Sequence, residues 1–504
     1  MTVVNTNVAA LSAQSSMMKN TREMEGAMAK LSSGHRINSA ADDAAGLSIS
    51  ERLESQIKGL SQAIRNSEDA QNLIDTAEGA HAEIVTSLQR LRELAVQSAN
   101  STNTSIDRSF IQKEASQLLN EINRISTNTE WNGMVLMDGS FDDKNLQVGA
   151  NVGQTIAIDL ASTETDEVGN FVVRGDAKIT AGGTAAAVNS IAGGKHIIAG
   201  FAGTDTITVA ANDTAREFAE DVNGKSDFTG VTAKAATHAL LDSVNAVGTV
   251  DLAIGKQGAV GTGDATQVTV TATISDTTDL TALRDAINEV SGATGVTASF
   301  FEGDVGKVML KDFDGDDIVL GDFNHSTSAS TMSVTAYDFF GDSISAATAI
   351  TLTDGSNDSV TVNGEVQLSS SQAFALTTVV ADDFFGASGA TDTAYQSSLE
   401  KVGDIDLGSM LGAQKALDVI DGAIDMVNTQ RADLGAVSNR LDKTVNNLTN
   451  IVENTSGSKS HIKDANFAAE TSKLTKAQIL NQAATSMLAQ ANASKQTVLA
   501  LLQN

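Results

Sequence analysis

The sequence predicts an α+β multidomain protein. Both termini contribute long coiled-coil helices, and β-rich outer domains are inserted between them. Three observations lead there. Residues up to about 130 and from about 410 onward carry apolar side chains at alternating three- and four-residue steps, with few Gly. About 250 residues between them read as short Thr- and Val-rich strands, turns and small helices. The charge follows the same division: of a net −30, residues 151–399 hold 10 Lys and Arg against 33 Asp and Glu. Residues 1–150 hold 13 against 19, and 400–504 hold 10 against 11. Near-balanced ends suit surfaces that pack against other copies. A strongly acidic middle suits a solvated exterior and argues against nucleic acid.

The elements follow in chain order. Val4, Val8, Leu11, Ser15 and Met18 open a first helix. From Ala44 to about Asn100 only Gly46, Gly59 and Gly79 interrupt a helical pattern, which predicts a continuous helix of about 55 residues and roughly 80 Å. Ile57, Leu60 and Ile64 mark its stripe, as do Ile74, Ala77, His81, Ile84, Leu88, Leu91 and Ala95. Ile111, Ala115, Leu118, Ile122 and Ile125 mark a third helix, ended by Trp131-Asn-Gly. Leu146 to Leu160 alternates around Gly-Ala-Asn, a hairpin signal.

Val222-Asn-Gly-Lys-Ser-Asp-Phe-Thr-Gly-Val-Thr-Ala233 then matches Ile287-Asn-Glu-Val-Ser-Gly-Ala-Thr-Gly-Val-Thr-Ala298. Each copy follows a strand and a short helix (214–221 and 280–286), so two strand–helix–strand units are expected at about 204–237 and 265–300. At the far end Ile420, Ile424, Val427, Arg431, Leu434, Ser438, Leu441, Val445, Leu448 and Val452 hold a heptad with two polar interruptions. Leu480, Ala484, Met487, Ala491, Ser494, Val498 and Leu501 form the last stripe. Ala- and Ser-rich stripes bury little area per turn, so 1–40 and 460–504 are expected to be poorly ordered in an isolated monomer.

Cys is absent, which excludes disulfides and thiolate metal sites. Pro is absent too. In the helical ends that avoids about 3 kcal/mol per interior Pro. In the middle it suits a chain that must fold quickly, without X-Pro isomerisation lasting tens of seconds. Pro placed at exposed middle-region turns should then introduce a slow refolding phase in stopped-flow traces. No run of about 18 apolar residues is present, so no membrane span is expected. The N-terminus lacks the basic and apolar regions of a secretory signal.

Catalytic chemistry is hard to place. His35, His81, His196, His238, His325 and His461 are scattered, with no His-Glu-x-x-His. His81 reads as a seam residue rather than a ligand. Asp312-Phe-Asp-Gly-Asp-Asp317 has the acid density of a Ca²⁺ loop without the ligand order of an EF-hand, and reads as an acidic turn. No catalytic, cofactor-binding or metal-ligating residue is assigned.

Leu31-Ser-Ser-Gly-His-Arg-Ile-Asn-Ser-Ala-Ala-Asp-Asp-Ala-Ala-Gly-Leu-Ser-Ile-Ser50 and Leu88 to Asn100 resemble the N-terminal hallmarks of bacterial flagellin. Asp464-Ala-Asn-Phe-Ala-Ala-Glu-Thr, Leu474-Thr-Lys-Ala-Gln-Ile-Leu-Asn-Gln-Ala and Ala483 to Ala493 resemble its C-terminal signature. The Asn-x₅-Thr-Gly-Val-Thr-Ala units are similar to inserts in flagellins and hook-associated proteins.

The resemblance implies the structural subunit of the extracellular flagellar filament, exported without a cleaved signal peptide. It implies an inner core from 1–43 with 455–504, an outer core from 44–165 with 405–454, and a variable exterior at 166–404. It implies coiled-coil core packing by Val8, Leu11, Leu480, Met487, Leu488, Val498 and Leu501. Ser33, Gly34, Arg36, Ile37, Asn38, Asp42 and Asp43 are implied as contacts between protofilaments. Implied partners are other copies of the chain, the flagellar cap and hook-associated proteins, an export chaperone and an innate flagellin receptor. The receptor surface matches Gln89, Arg90, Leu94 and Glu114. Three alternatives are a hook–filament junction protein, an enzyme with a peptidase insert, and a coiled-coil adhesin of discrete oligomers. The second would need the missing His-Glu-x-x-His.

Overall fold

The structure, a computed structural model, describes residues 6–182, 189–257, 267–301, 303–341, 349–356, 359–379, 384–385 and 393–502, with side chains to 494. The chain divides into two compact units. The first comprises Met1–Ile74, Asp143–Ile158 and Gly435–Asn504; the second comprises Asp75–Asp142 and Asp159–Leu434.

Among the described residues, α1 spans Val8–Ser33, α2 spans Ala44–Ala99 and α3 spans Ser105–Asn128. The expected long helix is continuous over 56 residues. Its stripe is the buried one: Ile74, Ala77, His81, Ile84, Leu88, Leu91 and Ala95 are all buried, as are Ile111, Ala115 and Ile122 of α3. Thr104 and Asp107 form a reciprocal capping box that starts α3. The hairpin at Leu146–Leu160 is present as strands Lys144–Gln147 and Thr155–Ile158.

The two repeats are built alike, down to single hydrogen bonds. In the first, strand Thr204–Val209 leads into α4 (Ala215–Asn223), α5 (Ser226–Thr229) and strand Thr232–Asp242. In the second, Val268–Ile274 leads into α6 (Thr281–Glu289), α7 (Ser291–Thr294) and Thr297–Phe301. The Asn223 amide donates to Ala233 O at 2.9 Å and accepts from Ala233 N at 2.8 Å. Asn288 does the same to Ala298, at 2.8 and 2.8 Å. Gly230 and Gly295 close each turn in the left-handed region, at φ 73° and 70°. Val231 and Val296 follow and are fully buried.

Each Asn satisfies one backbone donor and one backbone acceptor at a buried alanine. Asn223→Ala and Asn288→Ala should therefore each cost about 2 kcal/mol. Urea unfolding followed by circular dichroism measures this.

Among the described residues, the strand pairings in this unit are antiparallel. Thr232–Asp242 is central to the largest sheet, with Asp304–Asp312 on one side. Its other side takes Glu365–Ser370 along the first half and Thr331–Tyr337 along the second. One apolar core forms around the second repeat (Leu252, Leu283, Ile287, Leu310, Phe323) and another around the first (Phe218, Val222, Leu368, Phe384). Asp312–Asp317 is an acidic loop with a bend at Phe313–Asp314, not the β-turn that the sequence suggested. It joins strands Asp304–Asp312 and Asp317–His325, which belong to different sheets.

In α8 (Met410–Lys463) the heptad holds. Ile420, Val427, Leu434, Leu441 and Leu448 are buried at every seventh position. Ile424, Arg431, Ser438, Val445 and Val452, between them, are half-buried. The Arg431 interruption has a partner: its guanidinium donates twice to Glu78, at 2.9 and 2.6 Å. The last helix, α9, spans Phe467–Leu502.

Candidate assembly surfaces

In the first unit α1 packs along α9. Asn7 starts α1 by accepting from Ala10 N, and its amide donates to Ala491 O at 3.2 Å. Asn481 donates to Thr21 Oγ1 at 3.2 Å. The residues between the two helices are mostly small or polar, with Leu474, Leu488, Met17 and Met24 among them. On α9 they are Glu470, Leu474, Ala477, Asn481, Ala484, Leu488 and Ala491, buried or half-buried in three-four alternation. On α1 they include Ala10, Ala13, Met17, Met24 and Ala27.

Within one chain this seam is rotated from the stripes the apolar spacing suggested, sharing only Ala484 and Ala491 with the expected α9 stripe. The larger apolar residues face solvent instead: Val8 and Leu11 are each 66% exposed, Met487 65% and Ile479 60%. Leu480 is exposed and Leu488 half-buried. The side chains of Val498 and Leu501 lie outside the described residues. Each helix therefore carries two stripes: a small-residue stripe used inside the chain, and a large-residue stripe left uncovered.

The turn between α1 and α2 is tightly tied. Gly34 caps α1 at φ 73°, donating to Lys30 O. Arg36 N donates to Lys463 O at 2.7 Å, and Ala465 N to Gly34 O at 2.9 Å, so this turn holds the α8–α9 corner. The Arg36 guanidinium reaches Ile462 O at 2.6 Å, and His35 lies 3.3 Å from Asp464. Asp42 accepts from the N–H groups of Asn38 and Ser39, which hold its carboxyl below the usual range. Asp43 accepts from Gly46 N and starts α2. A Cβ on Gly46 would meet Asp43 Oδ2 at 2.4 Å and Ile37 Cδ1 at 2.8 Å, which explains the glycine. Ile37 is buried beneath the turn, while Ser33, Arg36, Asn38 and Asp42 are exposed.

In the second unit, Arg90 donates to Glu114 at 3.1 and 2.8 Å and to Glu93 at 2.7 Å. Gln89, Arg90 and Glu114 are exposed and Leu94 is buried. The acidic loop carries its own cation. Lys256 Nζ lies 2.8 Å from Asp312, 3.3 Å from Asp314 and 3.5 Å from Asp316. An ammonium from a distant strand stands where a calcium ion would be sought, a contact that local spacing could not reveal. No described helix is long and apolar enough to cross a membrane.

The bacterial flagellin N-terminal helical region matches residues 4–142, and the bacterial flagellin C-terminal helical region matches 417–502. The flagellin hook IN motif matches 256–312, which contains α6 and α7 of the second repeat. The first repeat lies outside that match but shares its asparagine bonds. The chain is similar to B-type flagellin of Pseudomonas aeruginosa, 37% identical over 504 residues with 99% of each chain covered. It is similar to flagellin of Salmonella typhimurium, 35% identical over 528 residues with 99% of each covered. Flagellin A of Vibrio cholerae is 33% identical over 503 residues, again with 99% of each covered. These full-length likenesses are to flagellins, and the junction-protein alternative is not favoured. The chain therefore belongs to the bacterial flagellin family and is a structural subunit of the flagellar filament.

Proposed function

We propose that this subunit assembles through the uncovered large-residue stripes of α1 and α9, and that observation carries the reading. The small-residue seam lets the two helices approach closely within a chain. Val8, Leu11, Leu480 and Met487 then pack against the same helices of neighbouring copies, with Val498 and Leu501 further along and Leu488 at the edge of the inner seam. Removing such area from water stabilises by about 25 cal/mol per Å². Contacts that repeat head to tail without closing generate a helical tube.

Residues 1–43 and 455–504 supply the inner core, 44–165 with 405–454 the outer core, and 166–404 the acidic exterior. Between protofilaments, exposed Ser33, Arg36, Asn38 and Asp42 make the contacts, while Gly34, Ile37 and Asp43 set the shape that presents them. Before assembly the same stripe of α9 is covered by an export chaperone, which keeps it from self-association. Export then needs no cleaved signal peptide, and the cap and hook-associated proteins meet the chain at the filament ends. The exposed Gln89–Arg90–Glu114 face, underpinned by Leu94, suits an innate receptor. The role is structural, with no catalytic step.

Purified chain nucleated with a precipitant should give long tubes by negative-stain microscopy. Discrete oligomers without filaments would overturn the reading in favour of a coiled-coil adhesin.

A further inference from the structure

A cleft of about 540 Å³ opens in the second unit between α4, the strand Thr232–Asp242 and the loop that carries Phe339 and Phe340. Its size falls in the range of small-molecule sites, roughly 300–1,000 Å³. Among the described residues most of the charged groups lining it are already paired. Arg216 binds Asp316 at 2.7 Å and Glu220 at 3.1 Å. Lys234 binds Asp418, and Asp314 is held by Lys256 at 3.3 Å.

Lys311 differs. It sits on the strand Asp304–Asp312 directly opposite His238, and among the described residues no carboxylate pairs with its ammonium. Burial alone acts on it, pushing its pKa down. His238 is itself 4% exposed, and its Nδ1 has no partner. The remaining surroundings are three rings, four alanine methyl groups and the Asn223 and Gln414 amides. Phe313 is 70% exposed and meets His238 edge-on at 6.3 Å. Phe339 and Phe340 pack edge-to-face at 5.0 Å.

A half-buried ammonium with no counter-charge is an unfavourable arrangement in a folded chain, and it becomes favourable when an anion enters. Flat apolar walls add contact for a ring. From the unpaired Lys311 in an aromatic-walled cleft, we propose that this cleft binds a small ring-bearing carboxylate, with the carboxylate on Lys311 and the ring against Phe313 and Phe339. The domain's net negative charge opposes such a ligand at long range. At physiological salt that field is screened over about 8 Å, so the local ammonium decides. The site lies wholly in the second unit, and it is expected to bind equally in monomer and filament.

Saturation-transfer NMR on the full-length monomer tests this with benzoate, its neutral isostere benzamide, and glucuronate. Benzoate or glucuronate should bind with a Kd of about 1 mM, the scale expected for ligands of this size. Benzamide should bind at least about tenfold more weakly, the difference a charge-assisted hydrogen bond supplies. Benzoate alone would identify an aromatic acid as the natural class, and glucuronate alone a sugar acid. Lys311→Met should abolish the signal and Lys311→Arg should restore it in part. Lys311→Met removes only an unpaired charge, so it should fold, as a melting temperature no lower than the parent's would show. Binding by neither acid, or equal binding to folded Lys311→Met, overturns the proposal.

Discussion

Deleting residues 475–504 is expected to abolish filaments completely while leaving the unfolding of the β-rich unit unchanged. The deletion removes most of α9, and with it both of that helix's stripes. Ala477, Ala484 and Ala491 no longer close on α1, and Ile479, Leu480 and Met487 no longer reach a neighbour. An isolated helix with the composition of α1 is marginal in water, so α1 should lose order as well. The cores around Phe218 and Phe323 lie in the other unit and do not depend on α9. Negative-stain microscopy reads the first effect and calorimetry the second. Deleting residues 1–30 should act in the same way. If either shortened chain still formed tubes, the account of the termini would be wrong.

His81→Leu is expected to stabilise the chain, increasingly so below neutral pH. His81 is fully buried on the α2 stripe, and neither ring nitrogen has a hydrogen-bond partner. Burial pushes its pKa down to about 4 from 6.5; nearby Glu78 opposes the shift and Arg431 reinforces it. The folded state thus binds the proton more weakly than the unfolded state. The stability this neutral residue leaves intact is fully present above pH 6.5 and is lost as pH falls toward 4. The loss amounts to about 3 kcal/mol, from 1.36 kcal/mol per pKa unit. Leu has no proton to bind, so the variant should show a flatter acid limb in urea titrations at pH 4–7. An unchanged acid limb would show that the ring is solvated.

Two carboxyls act at the other end of the scale. Burial raises Asp317 to about 7 and Glu365 to about 8. Both favour the protonated folded state, so their contributions are lost as pH rises from the ordinary carboxylate range through those values.

The sequence was most legible where large apolar residues occupied most stripe positions. In α2 and α8 the periodic residues are the buried or half-buried ones, because a row made mostly of Ile, Leu and Val leaves only one face to bury. The repeat was legible for a related reason: Asn223 and Asn288, with Gly230 and Gly295, are needed one by one for a turn that forms locally. In α1 and α9 the same reasoning placed the row on the face left exposed within the chain. Ala and Asn are compatible with either face, and spacing carries no information about which surface meets which partner.

By itself, then, the sequence determined what local chemistry dictates: helix lengths, the acidic middle, the duplicated unit and the likeness to flagellin. Long-range contact decided the rest. The pairing of Lys256 with an acidic loop more than 50 residues away, the three neighbours of strand Thr232–Asp242 and the cleft at Lys311 each join residues far apart in the chain. The division of α1 and α9 into an inner small-residue seam and an outer apolar stripe belongs with them. A helix can bury any face that a partner happens to match, and only the folded chain shows which face its own partner took.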